Sequence, residues 1–389
     1  MKRSKVIIYG LGRYFESAID DIESRLEVVG YSDSSLQKEG IAKERKRLFI
    51  PPKNIKKYDF DYIIITSPDY FSEIKQYIIN DLNICDEKVV SYDDLFIKEI
   101  YDGCGKLNKD KYFYVIKSSY CSAGLFAQYI NVLLHVDKAL KEGYLPIVDF
   151  KNLPNYYLDV DKLGIENSWE YYFENIIDIP LEEVYNSPNI KFSSDLYFLP
   201  KNIEDKKKRE YYKKICRECL KINKKTLKII DEEYKKILKG KDKVCGVLCR
   251  GTDYTNAKPY GHGIQPPVEE MIEKVENFIN KNNYNYVYLA TEDSTVLEKF
   301  KEKFGDKLLY TNQMRFKDTG DKWLFQIHNS RENDKYLRGI EYLTTIYLLS
   351  KCNSLIAGRC GGAYGALLIN DEFEYEYIYD LGRYGIDDK

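Results

Sequence analysis

The residues best placed to do chemistry follow directly after an apolar run in the last third of the chain. Residues 244–249 have the composition of a buried strand, and Arg250-Gly-Thr-Asp253 comes immediately after them. Ligands of open α/β sheets bind beyond the carboxyl ends of the strands, and a guanidinium offers a fixed fork of donors that matches a phosphate. Arg250 is therefore a candidate phosphate ligand, and Asp253 either holds this arginine or acts on a hydroxyl group. A purely structural salt bridge between the two is the plain alternative.

Two further segments carry polar groups where a strand is predicted to end. Glu292-Asp293 follows the apolar run 286–291, and Gly358-Arg359-Cys360-Gly361-Gly362 follows the run 354–357. The acidic pair could accept hydrogen bonds from a nucleoside, or Asp293 could cap the next helix. The helix-terminal amides with Arg359 could hold an anion, or the segment is an ordinary tight turn. We expect these strand ends to converge with Arg250 on one crevice.

Two other features are candidates for chemistry. His262, in a loop after the Arg250 strand, is the best placed of the three histidines for proton transfer, although loop histidines are usually only exposed. Near the start, Gly10 and Gly12 follow a predicted strand, and Asp33 ends the next one, which resembles a dinucleotide fingerprint. The third glycine of that fingerprint is Phe15, so a degenerate nucleotide-fold module is favoured over a working NAD site.

Composition excludes several classes of protein. The chain has 389 residues, enough for two or three domains, and its formal net charge of −2 gives no indication of a nucleic-acid partner. No apolar run approaches the length of a membrane span, and the first residues do not form a signal peptide. Nine cysteines without framework spacing are typical of a reducing cytoplasm. Cys216 and Cys219 lack a second matching pair, so we expect no metal site.

The elements that must position these residues alternate between strands and helices, which predicts parallel sheets with helices on both faces. We predict a Rossmann-like domain over residues 1–105, a second lobe over 111–240 and a third over 241–389. Residues 151–200 are expected to be an irregular, loop-rich surface. Residues 201–243 carry seventeen Lys and Arg against eight Asp and Glu, a run that could track phosphates but is more often a solvated helix face.

Four blocks, in order, resemble the superfamily of fucosyltransferases that use GDP-fucose, including the α-1,6 and protein-O types. These blocks begin at Gly124, Gly246, Val287 and Tyr342. In the first, Gly124, Gln128 and Asn131 look like the segment that opens the family's other lobe. The resemblance covers about residues 111–389 and leaves out the first hundred.

The resemblance implies a GT-B-like pair of Rossmann-like lobes, preceded here by the small N-terminal domain. It implies a metal-independent transfer of a sugar to a glycan acceptor with inversion, in polysaccharide or glycoconjugate synthesis. The implied donor is GDP-fucose or a related GDP-sugar. Arg250 and the amides near Gly361 and Gly362 would hold the diphosphate, with Glu292 and Asp293 near the donor. No cofactor is expected, and a peripheral association with membrane-linked acceptors is left open.

The chain departs from the family pattern at several positions of the first and last blocks. Leu248 and Gly251 replace a histidine and an arginine of the first block, and Cys360 and Gly361 replace serines of the last. No catalytic base can be carried over, so Asp253 and His262 are the candidates. Two other functions stay open: an NAD-dependent sugar oxidoreductase acting through the N-terminal domain, and a non-catalytic nucleotide-sugar-binding protein.

Overall fold

The computed structural model describes residues 3–101, 103–118, 123–193, 203–251, 255, 258, 261–317, 324, 327, 329–370 and 372–386. Within these ranges the strands form three separate sheets, and every pairing between neighbouring strands is parallel. The α/β class with parallel sheets, predicted from the alternation of strands and helices, is confirmed.

The first sheet has the strand order β2-β1-β3-β4. Its strands are β1 (Lys5–Tyr9), β2 (Glu27–Ser32), β3 (Tyr62–Ile65) and β4 (Val89–Ser91). The helices of this unit are α1 (Arg13–Arg25), α2 (Glu39–Glu44), α3 (Phe71–Asn80) and α4 (Tyr92–Ile100). Apolar side chains of the sheet pack on both of its faces, as alternating side chains of a strand between helices must.

The second sheet is small, with the order β6-β5-β7. It contains β5 (Phe113–Lys117), β6 (Leu145–Asp149) and β7 (Ile190–Phe192), with the helices α5 (Leu125–Lys141) and α6 (Leu181–Tyr185). The expectation that residues 151–200 are irregular was therefore wrong for α6 and β7. Both elements are too short to show a periodicity, and β7 exists because its backbone pairs with β5, far away in sequence.

Two charged helices connect the second sheet to the third. They are α7 (Lys206–Cys219) and α8 (Lys224–Ile237), where the sequence indicated one long stretch of helical material. Each begins at a side-chain cap: Asp205 accepts from the amide of Lys207 at 2.9 Å, and Asn223 accepts from the amide of Thr226 at 2.8 Å. The second cap explains why the stretch divides near residue 223.

The third sheet has the order β10-β9-β8-β11-β12. Its strands are β8 (Val244–Leu248), β9 (Tyr286–Ala290), β10 (Leu308–Leu309), β11 (Ser354–Gly358) and β12 (Tyr375–Tyr379). Its helices are α9 (Val268–Asn282), α10 (Ser294–Phe304), α11 (Asp334–Leu349) and α12 (Gly361–Ile369). Because β8 is central, with β9 and β11 on its two sides, the carboxyl ends of these three strands are neighbours.

The second and third units share one hydrophobic core. A single cluster of buried side chains includes Tyr114 and Phe126 of the second unit and Leu348 and Ala363 of the third. The first unit has cores of its own, although one of them includes Leu153 from the loop after β6. These units are the Rossmann-like lobes and the added N-terminal module that the sequence predicts. The exact boundaries at 105, 111 and 240 stay predictions.

Candidate functional site

Arg250 lies two residues beyond the end of β8, and Glu292 lies two residues beyond the end of β9. The Arg250 guanidinium donates a hydrogen bond to the Glu292 carboxylate, and both side chains are largely withdrawn from solvent. A carboxylate that binds one end of a guanidinium fixes the direction of its remaining donors. Asp253, which the sequence suggested as the residue holding Arg250, lies outside the described residues.

Asp293 caps α10. Its Oδ1 atom accepts from the amides of Thr295 at 2.7 Å and Val296 at 3.1 Å, so the capping alternative describes this residue. Its other oxygen lies against Gly251, where a Cβ atom would be only 2.2 Å from Asp293 Oδ2. Any larger residue at position 251 would therefore push the Arg250 segment away from β9. The glycine that departs from the family pattern lets the two strand ends approach closely.

Cys360 provides the third strand end. It is the residue before the first turn of α12, it is buried, and the amides of Gly362 and Ala363 hydrogen-bond its sulfur. Burial raises the pKa of the Cys360 thiol, while the positive charge of Arg250 acts in the opposite direction. Because β8 pairs with both β9 and β11, Arg250, Glu292 and Cys360 follow neighbouring strands at one edge of the sheet. That they line one crevice stays a prediction.

Arg359 differs from the other predicted anion ligands. Its side chain is 7 % exposed and is bound by two carboxylates: Glu204 at 2.9 Å from Nε, and Asp380. Glu204 also accepts a hydrogen bond from the Tyr364 hydroxyl at 2.6 Å. This arginine therefore connects the segment before α7 to the segment after β12. A role in binding an anion stays a prediction for Arg359, and its observed contacts are those of a brace.

The first turn of α5 packs against the first turn of α12. A Cβ atom on Gly361 would lie 3.1 Å from the amide nitrogen of Ala127, and one on Gly365 would lie 2.2 Å from the Phe126 ring. Gly362 is equally close to Tyr342, with 2.4 Å from an added Cβ to its hydroxyl oxygen. Two helix N-termini, one from each lobe, therefore meet beside the Arg250–Glu292 pair.

The acceptor-lobe residues predicted from the sequence belong to α5. Gly124 is its N-cap residue, and Gln128 Nε2 donates to the carbonyl of Ala123 at 2.9 Å, which fixes the start of the helix. Gln128 and Asn131 are buried. Their observed environment is that of residues that shape the helix start, and contact with a ligand stays a prediction.

Two tyrosines near the site were missed by the sequence analysis. Burial raises the pKa of Tyr156 to about 12, Arg338 opposes this shift, and the charge of Glu292 adds to it. Tyr157 is buried, its pKa is raised by burial and further by Tyr156 and Glu292, and its hydroxyl accepts from the amide of Leu125 at the start of α5. They lie in the stretch 151–200, whose high density of aromatic residues was the available signal of a buried segment.

His262 lies on an exposed segment that pairs with residues near the C-terminus. The amide of Tyr384 donates to the His262 carbonyl at 2.9 Å, and the amide of Gly261 donates to the Tyr384 carbonyl at 2.8 Å. The next residue, Gly263, packs against Arg359, since an added Cβ would be 2.8 Å from the Arg359 carbonyl oxygen. The backbone around His262 is thus well fixed, and proton transfer by its imidazole stays a prediction.

In the N-terminal motif, Asp33 and Phe15 make contacts within the first unit itself. Asp33 accepts from the amides of Leu11 at 2.7 Å and Ser35 at 2.8 Å, so each carboxylate oxygen already has a backbone partner. Phe15 is fully buried, and its ring lies edge-on to Tyr31 at 5.0 Å between centroids. Gly10 has a φ of 98°, the left-handed conformation that glycine adopts most easily. These contacts favour the degenerate module over a dinucleotide site involving Gly12.

In the part of the chain that the structure describes, no group of three or more His, Cys, Asp and Glu side chains could hold a metal ion. No helix among the same residues has the length and apolar character needed to cross a membrane.

Comparison with known families adds two matches. Residues 211–360 match the model of the alpha-(1,6)-fucosyltransferase N- and catalytic domains, and residues 2–90 match the model described as C2185-like, N-terminal. The first match contains Arg250, Glu292 and Cys360, the residues that follow the three neighbouring strands. A search of curated proteins gives no sequence match.

Several solved structures are distantly similar. NodZ alpha-1,6-fucosyltransferase, a Bradyrhizobium protein, soaked with GDP-fucose is 15 % identical with a TM-score of 0.42, covering 71 % of this chain and 98 % of that one. An Arabidopsis thaliana FUT1 mutant with GDP is 11 % identical with a TM-score of 0.42, covering 74 % and 75 %. POFUT1 with GDP-fucose is 9 % identical with a TM-score of 0.32, covering 100 % and 99 %. Likenesses this weak carry no argument about the ligand of this chain.

The family match, with the site it contains, defines the class: the protein is a glycosyltransferase. Within that class it is fucosyltransferase-like, and the resemblance is confirmed over residues 211–360, where the blocks that begin at Gly246, Val287 and Tyr342 lie.

Proposed function

We propose that the protein transfers fucose from GDP-fucose to a glycan acceptor, with inversion at the anomeric carbon. The observation that carries this proposal is the position of Arg250, beside Glu292 and within electrostatic reach of the α12 N-terminus. Arg250, Glu292 and Cys360, the residue before α12, lie in the stretch that matches the fucosyltransferase model. A leaving diphosphate needs positive charge and hydrogen-bond donors, and a fixed arginine at a helix N-terminus supplies both.

The proposed reaction is a single displacement. The oxygen of an acceptor hydroxyl forms a bond to the anomeric carbon, while the bond from that carbon to the β-phosphate oxygen breaks and its electron pair leaves with GDP. Arg250 stabilises the charge that develops on the diphosphate, and Glu292 holds the guanidinium in the required orientation. The proton of the hydroxyl passes to a base, for which Asp253 and His262 are the candidates in this chain.

The remaining predicted residues have positioning roles in this proposal. The first turns of α5 and α12 form the floor between the lobes, with Gly124 and Gly361 at their starts. Asp293 holds α10 and, through its contact with Gly251, the Arg250 segment. Arg359, just before α12, is held in place by its ion pairs with Glu204 and Asp380.

The cellular setting is also a proposal. All eight cysteines among the described residues are free thiols, which suits a reducing compartment such as the cytoplasm. We propose a role there in the assembly of a polysaccharide or glycoconjugate, without a metal requirement.

A thermal-shift panel with GDP, UDP, CDP and NAD tests the donor. A ligand at 100 times its dissociation constant adds about 2.7 kcal/mol to the free energy of unfolding. We expect stabilisation by GDP and little effect of the other three. Stabilisation by NAD alone would overturn the proposal in favour of the oxidoreductase alternative, and stabilisation by UDP or CDP alone would overturn the choice of donor.

A second measurement separates binding from catalysis. Protein that GDP stabilises is incubated with GDP-fucose and a panel of glycans, and released GDP and fucosylated product are measured. Product with an inverted anomeric configuration supports the proposal. Tight GDP binding with neither transfer nor hydrolysis of GDP-fucose would instead identify a non-catalytic binding protein.

A further inference from the structure

We infer that Arg338, on α11, is a positioning residue for the proposed transfer. It holds the strand end that carries Glu292 against the second unit, and Glu292 in turn directs the Arg250 guanidinium. The inference rests on the proposed function and extends it to a helix residue outside the strand ends.

The Arg338 guanidinium is largely buried and joins the two lobes. Its side chain is 10 % exposed. Nη1 donates to the Tyr156 hydroxyl and, at 2.9 Å, to the Leu324 carbonyl, and Nη2 donates to the Ile327 carbonyl. Nε donates to Asp334 at 2.6 Å, one turn earlier on the same helix. Because Tyr156 belongs to the second unit and the other partners to the third, loss of this guanidinium would loosen both sides at once.

Two aromatic rings contact the same guanidinium. The Arg338 Cζ atom lies 5.6 Å from the centroid of the Tyr156 ring and 5.6 Å from the centroid of the Phe316 ring. Contacts between a cation and an aromatic ring are strongest where water is excluded. Lysine keeps the charge but lacks the planar fork that contacts rings and several acceptors together, so it is a poor substitute at this position.

Phe316 connects Arg338 to the strand end of β9. The Phe316 amide donates to the Glu292 carbonyl at 2.9 Å, and the Phe316 carbonyl accepts from the amide of Ser294 at 2.9 Å. These two hydrogen bonds lie on either side of Asp293 and fix the backbone that carries the Glu292 side chain. Since Glu292 binds Arg250, a displacement of Phe316 would also displace the guanidinium proposed to hold the diphosphate.

The alternative is that Arg338 only joins the lobes, as another residue of α11 does. Lys335 Nζ donates to the Leu158 carbonyl of the second unit at 2.7 Å. Arg338 differs because it also contacts Phe316, which is paired with the Glu292 strand end. Lys335→Met is therefore a matched control, since it removes a contact between the same helix and the same unit.

Hydrogen exchange of the ligand-free protein tests the position. Arg338→Lys should speed exchange at the amides of Ser294 and Phe316 by about tenfold, because their pairing is no longer held. Tyr156→Phe keeps the ring, removes the hydroxyl and should have a smaller effect in the same direction. Lys335→Met should leave both amides unchanged, and circular dichroism should show all three variants folded. Unchanged exchange in Arg338→Lys and Tyr156→Phe, or equal acceleration in Lys335→Met, would overturn the inference.

Kinetics tests whether this position matters for transfer. Arg338→Lys should lower kcat/KM for GDP-fucose about tenfold or more, because a small displacement of a group that contacts the reacting atoms has a large effect on rate. In an Arg250→Ala background the same substitution should lower it less than about twofold, since the guanidinium to be positioned is gone. Lys335→Met should match its parent protein in both backgrounds.

The outcomes separate this inference from the proposed function. Transfer by the unchanged protein with equal losses from Arg338→Lys in the two backgrounds would overturn the positioning role and leave the proposed function standing. If the unchanged protein neither binds GDP nor transfers fucose, the proposed function fails, and the role of Arg338 in transfer fails with it. Hydrogen exchange would still show whether Arg338 fixes the Glu292 strand end.

Discussion

At the scale of the residue, the site depends on how Arg250 is held. The sequence identified this arginine as a phosphate ligand but not its partner, since Glu292 is 42 positions away in the chain. A bare guanidinium on a strand end samples many orientations, whereas one bound by a carboxylate has its remaining donors directed. Glu292 is therefore the positioning residue of the proposed site, and Arg250 is the residue that touches the diphosphate.

Substitutions at these two positions should separate charge from geometry. Arg250→Ala should lower kcat/KM for GDP-fucose by about a hundredfold or more, the usual effect of removing a donor to a developing negative charge. Arg250→Lys keeps the positive charge but loses the forked donors of the guanidinium. Its kcat/KM should lie between that of the unchanged protein and that of Arg250→Ala. Glu292→Gln should retain the shape but hold the guanidinium less firmly, with a smaller loss. Steady-state kinetics measures all three, and full activity of Arg250→Ala would refute the assignment.

At the scale of the element, the distance between α5 and α12 is set by glycine. Gly361, Gly362 and Gly365 place the start of α12 directly against Phe126, Ala127 and Tyr342. Helices approach this closely only where one of them has no side chain, because protein interiors are packed without spare volume. The lobes therefore cannot separate freely at this floor, and their shared core follows from the same packing.

Gly365→Ala should disrupt this packing. An added Cβ would overlap the Phe126 ring, so we expect a loss of about 1–3 kcal/mol in the free energy of unfolding. The cost should be smaller in a Phe126→Ala background, because the truncated side chain leaves room for the methyl group. Gly40→Ala is the control, since an added Cβ there meets nothing within 4 Å. Denaturant unfolding measures each variant, and equal costs in the two backgrounds would contradict the model of steric overlap.

At the scale of the whole molecule, the first unit is attached to the second through a partly buried polar contact. The Tyr14 hydroxyl donates to Asp93 at 2.9 Å, and Lys117, the last residue of β5, lies 3.5 Å from the same carboxylate. Leu153 extends from the second unit into a core of the first. The N-terminal module is thus fixed to the carboxyl end of β5, whatever ligand it has or lacks.

This contact predicts a pH dependence of stability. Burial raises the pKa of the Asp93 carboxyl above its ordinary value, despite the opposing charge of Lys117. The folded state then binds a proton more tightly than the unfolded state, so Asp93 reduces stability as the pH rises from about 3.9 through the folded pKa. Asp93→Asn should lack this decline and become relatively more stable as the pH rises. Urea unfolding across the acid range measures it.

Asp110→Asn provides a control for this effect, because Asp110 is exposed. Its stability curve should run parallel to that of the unchanged protein over the whole pH range. Parallel curves for Asp93→Asn as well would show that this carboxyl has no raised pKa.

The sequence by itself determined the α/β class, the order of the longer strands and helices, and the position of Arg250 at a strand end. These follow from hydrophobic periodicity and from turn residues, which act over short distances along the chain. It also gave two alternatives for Asp293, of which the structure shows the cap. Its prediction of an irregular stretch over 151–200 was wrong for α6 and β7, and it did not identify Tyr156 and Tyr157, because β7 and the two tyrosines depend on distant partners.

Only the tertiary structure decided which predicted residues meet. In the structure Arg250 forms an ion pair with Glu292, and Arg359 forms ion pairs with Glu204 and Asp380. The Asp33 carboxylate accepts hydrogen bonds from backbone amides. Arg250 and Arg359 both follow strands of the same sheet, so local pattern makes them equivalent. Their environments differ because two carboxylates from remote segments bind Arg359, whereas Arg250 binds Glu292. Contacts between residues so far apart in the chain cannot be predicted from local sequence patterns.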